Sequence, residues 1–534
     1  MDFWTTFCSV LDHICNNRYF TFFYCMVQNR RGKGWVRMNA IISISVILAF
    51  FVINAIVIKI FHREQDTLEE YAVGGRSFPW ILSLFGFLGA WYVGAMYTGF
   101  FADSANIGIF SQYAAVYSVG TITVMYVLVR PVWIWGKLYN LETIADFIEL
   151  RYNSKAFATF IAIFTFLFWS PWLIVEIKTI GYLVSAATYG VVPFNVGLVL
   201  VSLFVIIYCW LGGSRASAVG SLVQGIFFTF IGSITVLYLF NKAYGGFTTM
   251  FQMVAERAPE LLIINDKIGY GVWSSAIIAG ILGGMMSPAI FARMYMSKSV
   301  KEAKKSALGV PIIGAAFTII LLSLGLGGSL LNGFPEDAQS GIFWMAEQYG
   351  GPVVLGLIGI FAMAASMSTI SAVVTAAAVM IGKNMLGLFD LNRRQILKYA
   401  KLLTLSVGII AIFIATMEIS RLVSIILYLY DCIAQVAVPI ILGVFWKKGH
   451  KYGAAAGTIV GMSIVLLKGP FPWLVSWAGG LSAGLVGLLL NLIIYIVVSA
   501  ALPKQNHVDQ LFDDLNNGSD TKIKIKLKGG EIAQ

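Results

Sequence analysis

Charge is scarce in this chain. Only 12% of its 534 residues are Asp, Glu, Lys or Arg, while 58% are hydrophobic. Mean hydropathy is +0.81. That balance excludes a soluble protein of this length. Histidine is nearly missing as well. His13, His62, His450 and His507 all fall outside the apolar runs, so no imidazole stands at membrane depth for proton relay or catalysis. The cysteines Cys8, Cys15, Cys25, Cys209 and Cys432 lack metal-ligand spacing, which argues against a zinc site or a disulfide framework. Without a His/Cys cluster, a paired acidic metal motif or a soluble domain, an enzyme is not expected. The net charge of +11 does not imply nucleic acid, because the basic residues sit in short loops between apolar runs.

Those apolar runs are what the chain has in abundance. A spanning helix needs about 20 residues. Runs of this kind occupy 40–61, 78–102, 111–135, 156–186, 195–211, 217–240, 273–294, 306–331, 352–382, 397–417, 421–445, 453–469 and 482–502. The expectation is therefore an all-α polytopic membrane protein with about 13 transmembrane helices. Loops on one side carry Arg63 and Arg76, Lys137 and Arg151, Lys298 to Lys305, Lys383 to Lys398, and Lys447 to Lys451. The other side has no Lys or Arg at 103–110, 187–194 or 332–351, and only a few elsewhere. This asymmetry predicts a cell-membrane protein whose first span enters with its N-terminus outside and whose tail is cytoplasmic.

Residues 1–38 break that rule, since Arg30, Arg31, Lys33 and Arg37 would lie outside. Tyr19–Val27 is too short to span. The expected reading is a start-site artefact with translation beginning at Met38; the alternative is an extension lying on the membrane. The transporter domain is expected over 40–503: a leading helix 40–61, one repeat 78–240, a second 273–445, and trailing helices 453–502. The tail 504–534 is polar and read as solvated, although its Lys522–Lys528 alternation suits contact with anionic membrane lipid.

Ser366, Ser368, Thr369 and Ser371 lie in a run with no charge between Gly351 and Lys383. Hydroxyls at the centre of a spanning helix cost free energy unless they pack, hydrogen-bond or bind something. Oxygen ligands suit a hard cation, and no carboxylate accompanies them to take a proton. The pattern points to sodium. Two other spans share a second signal. Gly86-Phe87-Leu88-Gly89-Ala90-Trp91-Tyr92-Val93-Gly94 and Gly280-Ile281-Leu282-Gly283-Gly284-Met285-Met286-Ser287-Pro288 are interrupted by residues that weaken helices. They sit five spans apart, and paired interruptions of this kind mark the binding site of carriers with repeated halves.

The chain resembles the sodium:solute symporter family from about Ala40 to Pro503. Tyr71 to Trp80 resembles its Gly-Gly-Arg-Ser leader into the first core helix. Leu141 to Tyr152 resembles the helix before the third core span, and Gly212-Gly213-Ser214-Arg215-Ala216 followed by Gln224 the loop entering core helix five. Phe291 to Ser299 resembles the Arg-containing exit from core helix six. Ala364 to Ser371 resembles core helix eight of the proline-carrier branch, and Leu442 to Lys448 the end of core helix ten. The resemblance implies a leucine-transporter-type fold, a 5+5 inverted repeat with one preceding and two trailing helices. It implies a sodium site at the carbonyls of Gly89, Tyr92 and Ala365 and the hydroxyls of Ser368 and Thr369. Ser366 and Ser371 are assigned to packing and back-bonding. Some members bind a second sodium through an Asp in core helix five; the matching residue here is the neutral Ser221, so one sodium per substrate is expected.

The implied solute is small and organic. Relatives carry proline-like amino acids, monocarboxylates, pantothenate and sugars, and the motifs lean toward the amino-acid and carboxylate branch. Candidate substrate residues are Trp91, Tyr92, Met285, Met286, Ser287, Asp431 and Gln435. Glu176 and Trp172 lie in core helix three; a structural or coupling role is favoured for Glu176 over direct contact, and Lys178 points to another face. Tyr428 to Asp431 is expected to unwind locally. The expected mechanism is sodium-coupled import by alternating access. Rivals are a proton-coupled carrier using Glu176 or Asp431, and a transporter-like sensor; no signalling domain follows Pro503, which disfavours a fused sensor.

Overall fold

The structure is a computed structural model, and it describes residues 33–264, 269–389, 391–417 and 422–517. Among the described residues there is no β-strand; one isolated bridge pairs Phe78 with Ser297. Most of the questioned 1–38 segment and the Lys522–Lys528 alternation fall outside this range. Helix α1 (Lys33–Ile60) already begins upstream of Met38.

The helices start and stop where local chemistry dictates. Helix α2 (Leu68–Val73) opens on a capping box between Thr67 and Glu70 and closes on the left-handed Gly74. Helices α3 (Trp80–Trp91) and α4 (Gly99–Ile107) flank an extended break at Tyr92 and Val93. Helix α5 (Tyr113–Tyr139) leads to α6 (Ile144–Tyr152), where Thr143 and Asp146 form a second capping box. Then follow α7 (Lys155–Ala187), α8 (Phe194–Ile226), α9 (Gly232–Tyr244) and α10 (Phe247–Arg257). Helix α10 lies in the 241–270 loop.

Helices α11 (Gly269–Met285) and α12 (Pro288–Met296) form a broken pair bent by 50°. Both glycine-rich runs therefore interrupt their helices, at Tyr92–Val93 and at Met286–Ser287. Helix α13 (Val300–Leu326) precedes α14 (Gly341–Met380), the hub of the molecule, which packs on α1, α3, α7 and α8. Inside the segment containing α14, 83% of the most apolar stretch is buried, against 22% for α1. Helix α15 (Arg393–Ala415) is followed by α16 (Leu422–Ala434) and α17 (Ala437–Phe445). Helix α16 is helical through Tyr428 to Asp431, so the expected unwinding comes later, at Gln435–Val436. Helices α18 (Lys451–Leu467) and α19 (Ala483–Ala501) pair with each other, and α20 (His507–Asn517) follows.

By length and apolarity, nine helices among the described residues can cross a membrane, or ten when the bent pair counts as one. This is fewer than the apolar runs suggested, for two physical reasons. The expected spans at 78–102 and 453–469 are broken or short. The runs 195–211 and 217–240 form one unbroken apolar segment that is kinked at Gly213, where a non-helical φ of 51° separates two helical stretches. A side chain there would also meet the Tyr71 carbonyl at 2.6 Å.

The loops bearing the basic residues converge on one face. Lys383 contacts Glu142 and reaches Asp146 at 2.7 Å, and Arg393 reaches Glu142 at 3.1 Å. Arg151 donates to the carbonyls of Gly443 (2.6 Å) and Trp446 (2.9 Å). Part of the polar tail docks on this face too. Trp135 Nε1 donates to the Leu511 carbonyl at 2.8 Å, and Val508, Leu511, Phe512 and Leu515 are buried. An amphipathic period hidden among polar residues makes 507–517 a packed helix instead of a solvated strand of tail.

Candidate functional site

The break after α3 releases backbone oxygens at the centre of the bundle. Tyr92 and Val93 are extended (ψ 115° and 153°), so the carbonyls just before them leave the helical ladder. Helix α14 lies against this point. The Thr369 hydroxyl sits 3.3 Å from the Gly89 carbonyl and 3.1 Å from the Ala365 carbonyl. One hydroxyl proton faces two carbonyl acceptors, which leaves a surplus of oxygen lone pairs. That surplus suits a hard cation. Ser368 donates to Ser221 at 2.9 Å. The approach is close because residue 89 is glycine: a Cβ there would stand 1.8 Å from Ser368 Oγ. Gly89, Ala365, Ser368 and Thr369 are thus brought together, with Tyr92 at the break beside them.

Ser371 donates back to the Ser368 carbonyl at 2.8 Å, the expected back-bond. Ser366 does something else. It donates across to Glu176 Oε2 at 2.7 Å, and the same oxygen accepts the Gly94 N–H at 3.0 Å. Glu176 therefore ties α7 to the far side of the break and to α14, and it is fully buried. Lys178 turns elsewhere and donates to the Met417 carbonyl at 2.8 Å.

An aromatic box adjoins the break. Trp91 meets Tyr117 edge-on at 5.7 Å, Tyr117 meets Tyr430 at 5.7 Å, and Tyr430 meets Trp172 at 5.8 Å. Helix α11 closes against it through its glycines. A Cβ on Gly284 would lie 2.2 Å from the Trp91 ring, and one on Gly283 would lie 2.5 Å from the Tyr430 carbonyl. Tyr117 is not among the residues the sequence points to, and Tyr430 enters there only within the Tyr428–Asp431 stretch. The available signal was Tyr113 and Tyr117, four residues apart on one helix face.

Other expected substrate residues are placed differently. Tyr92 turns its ring toward α13, where a Cβ on Gly314 would meet its hydroxyl at 1.9 Å; only its backbone faces the break. Ser287 is committed to capping α12, accepting from the Ile290 N–H at 3.3 Å. Met285 and Met286 are fully buried beside it. Asp431 accepts from Ser482 at 3.0 Å, and Gln435 donates to the Gly484 carbonyl at 2.9 Å. Both side chains therefore face α19 and not the box: α16 presents Tyr430 inward and its neighbour Asp431 outward, and Gln435 reaches α19 from the turn after α16.

Comparison with known proteins supplies an independent view. The family model described as "SSF: Sodium:solute symporter family" matches residues 71–461. The chain is 25% identical over 449 residues to "Uncharacterized symporter YhjB" of Bacillus subtilis (strain 168), covering 81% of this chain and 91% of that one. It is 22% identical to "Monocarboxylic acid transporter" of Corynebacterium glutamicum, covering 80% and 83%. Among solved structures, a substrate-bound, outward-open Na+-coupled sialic acid symporter aligns with a TM-score of 0.71 at 19% identity, covering 87% of this chain and 98% of that chain.

Proposed function

The chain belongs to the sodium:solute symporter family, and from that premise we propose a sodium-coupled importer of a small organic solute, working by alternating access at the cell membrane. The observation that carries this reading is the Thr369 hydroxyl shared between the Gly89 and Ala365 carbonyls. We assign the sodium to Gly89, Tyr92 and Ala365 through their carbonyls and to Ser368 and Thr369 through their hydroxyls. Sodium there fastens α3 to α14. The solute occupies the adjoining box of Trp91, Tyr117, Trp172 and Tyr430, beside Met285 and Met286. Asp431 and Gln435 are left out of this pocket.

The proposed topology counts thirteen passages: the continuous segments are divided at Gly213 and between α4 and α5, α3 and α4 together make one broken passage, and α18 and the bent pair α11–α12 are one each. Two inverted five-helix halves fit that count. The basic face is read as cytoplasmic under the positive-inside rule. Ser221 is neutral and already accepts from Ser368, which favours one sodium per solute. For a net-neutral solute such as an amino-acid zwitterion, one charge driven through about 100 mV contributes about 2.3 kcal/mol, enough for roughly tenfold accumulation or more; for a monovalent organic anion the two charges cancel and the sodium concentration gradient alone drives uptake. An organic acid or amino acid is the favoured class, in line with the monocarboxylic acid transporter among the relatives.

The test is thermal stabilisation of the purified protein by sodium, across a panel of solutes. Sodium should raise the midpoint in the natural chain and leave the Ser368→Ala/Thr369→Ala double variant unmoved. An unchanged sodium shift in that variant would overturn the site.

A further inference from the structure

Arg293 is a buried cation with few partners. It lies on α12, one of the broken pair, and is 5% exposed. Its Nη2 donates to the Ser217 hydroxyl at 3.1 Å, and its Nη1 reaches the Met296 sulfur, a weak acceptor, at 3.7 Å. Its Nε is buried and has no acceptor. Among the described residues no carboxylate stands within ion-pair distance of it. A guanidinium removed from water costs several kcal/mol unless compensated, and one hydroxyl with one thioether is poor compensation.

The arginine borders a narrow cavity that opens toward the basic face. Thr143, Ser214, Ser217 and Thr375 line it, and so does Glu142, which is paired with Lys383 and Arg393 on the basic face. The cavity has room for a water-sized ligand. It also sits close below the proposed sodium ligands: Ser217 is 2.9 Å from Ser371, which donates to the Ser368 carbonyl at 2.8 Å. A planar fork with Nε free and Nη2 beside it is the geometry that takes a carboxylate side-on.

We propose that Arg293 is an anion site on the release side of the carrier, which receives the carboxylate of the solute after it leaves the aromatic box. This rests on the carrier reading above and narrows its cargo to organic acids. The site completes the unsatisfied guanidinium only when the basic face opens and the cavity widens.

The test uses the full chain in lipid nanodiscs, melted at equal sodium in isethionate, chloride or propionate. Propionate should raise the midpoint by about 2 °C over isethionate. Arg293→Gln should abolish that shift, and Arg293→Lys should keep a smaller part of it. In isethionate, Arg293→Gln should melt no lower than the natural chain, because an uncompensated charge is removed. A much lower midpoint would mean that the protein supplies an acidic partner, and would overturn the proposal. So would an equal propionate shift in Arg293→Gln, or a shift given wholly by chloride. Sodium against choline is the control. A sodium shift kept in Arg293→Gln with no propionate shift in the natural chain sinks this inference alone; no sodium shift in the natural chain sinks the carrier reading and this inference with it.

Discussion

The Ser366 hydroxyl donates to Glu176 at 2.7 Å, and the carboxylate oxygen that receives it also holds the Gly94 N–H at 3.0 Å. One atom of α7 thus joins the broken helix to α14. Removing it strands two buried donors, each costing about 1–3 kcal/mol.

Glu176→Ala is accordingly expected to cut sodium-driven solute uptake at least about tenfold. Glu176→Gln keeps an acceptor at the same place and should retain uptake within about threefold at fixed pH. Uptake in proteoliposomes is the measurement. Loss of transport in Glu176→Gln with sodium stabilisation intact would instead favour the proton-coupled rival.

Gly284 receives the Trp91 ring. Gly284→Ala forces an overlap with a rigid buried indole, and overpacking of this kind costs about 1–3 kcal/mol. A lower melting midpoint is expected, and Trp91→Phe, with a shorter ring, should restore most of it in the double variant. Additive losses would mean that the two positions do not meet.

Asp146 provides a pH signature on the basic face. Burial alone would raise its pKa, but the Lys383 charge and bonds from Lys383, the Glu142 N–H and Asn384 outweigh it and hold the carboxyl below its ordinary value. A depressed carboxylate stabilises the fold above its unfolded pKa, about 3.9, and that contribution is lost as pH falls through the folded value. The midpoint gap between the natural chain and Asp146→Asn should stay constant above about pH 5 and shrink below about pH 4.

Helix α20 is clasped to α5 by Trp135 and by a 2.5 Å bond from Tyr139 to Asp514. Leu511→Ala combined with Phe512→Ala should free the helix without unfolding the bundle. Hydrogen exchange over 507–517 should then rise at least tenfold, about 1.4 kcal/mol of lost local protection, while α14 stays protected.

The parts of this molecule that the sequence discloses are those where residues act on their own backbone. Glycine runs break α3 and the α11–α12 pair because weak helix formers act locally, and Ser371 bonds back to its own turn. What stays hidden depends on which faces meet. Ser366 was read as packing, yet it serves Glu176 from 190 residues away. Asp431 shares α16 with Tyr430 and Gln435 follows in the turn after it, and only their packing against α19 decides that they look away from the box. The helix at 507–517 is concealed by its polarity, since four apolar residues on one stripe barely register in a hydropathy average.

The indole of Trp91 seated over Gly284 has a mechanical meaning. It joins the two broken helices by a ball in a shallow socket. Such a joint resists sliding, because any shift along either axis drives the ring into backbone, but it tolerates tilting. Under the proposed reading, with the solute in the adjoining box, a carrier hinged there would rock its two halves about a pivot placed at the cargo itself.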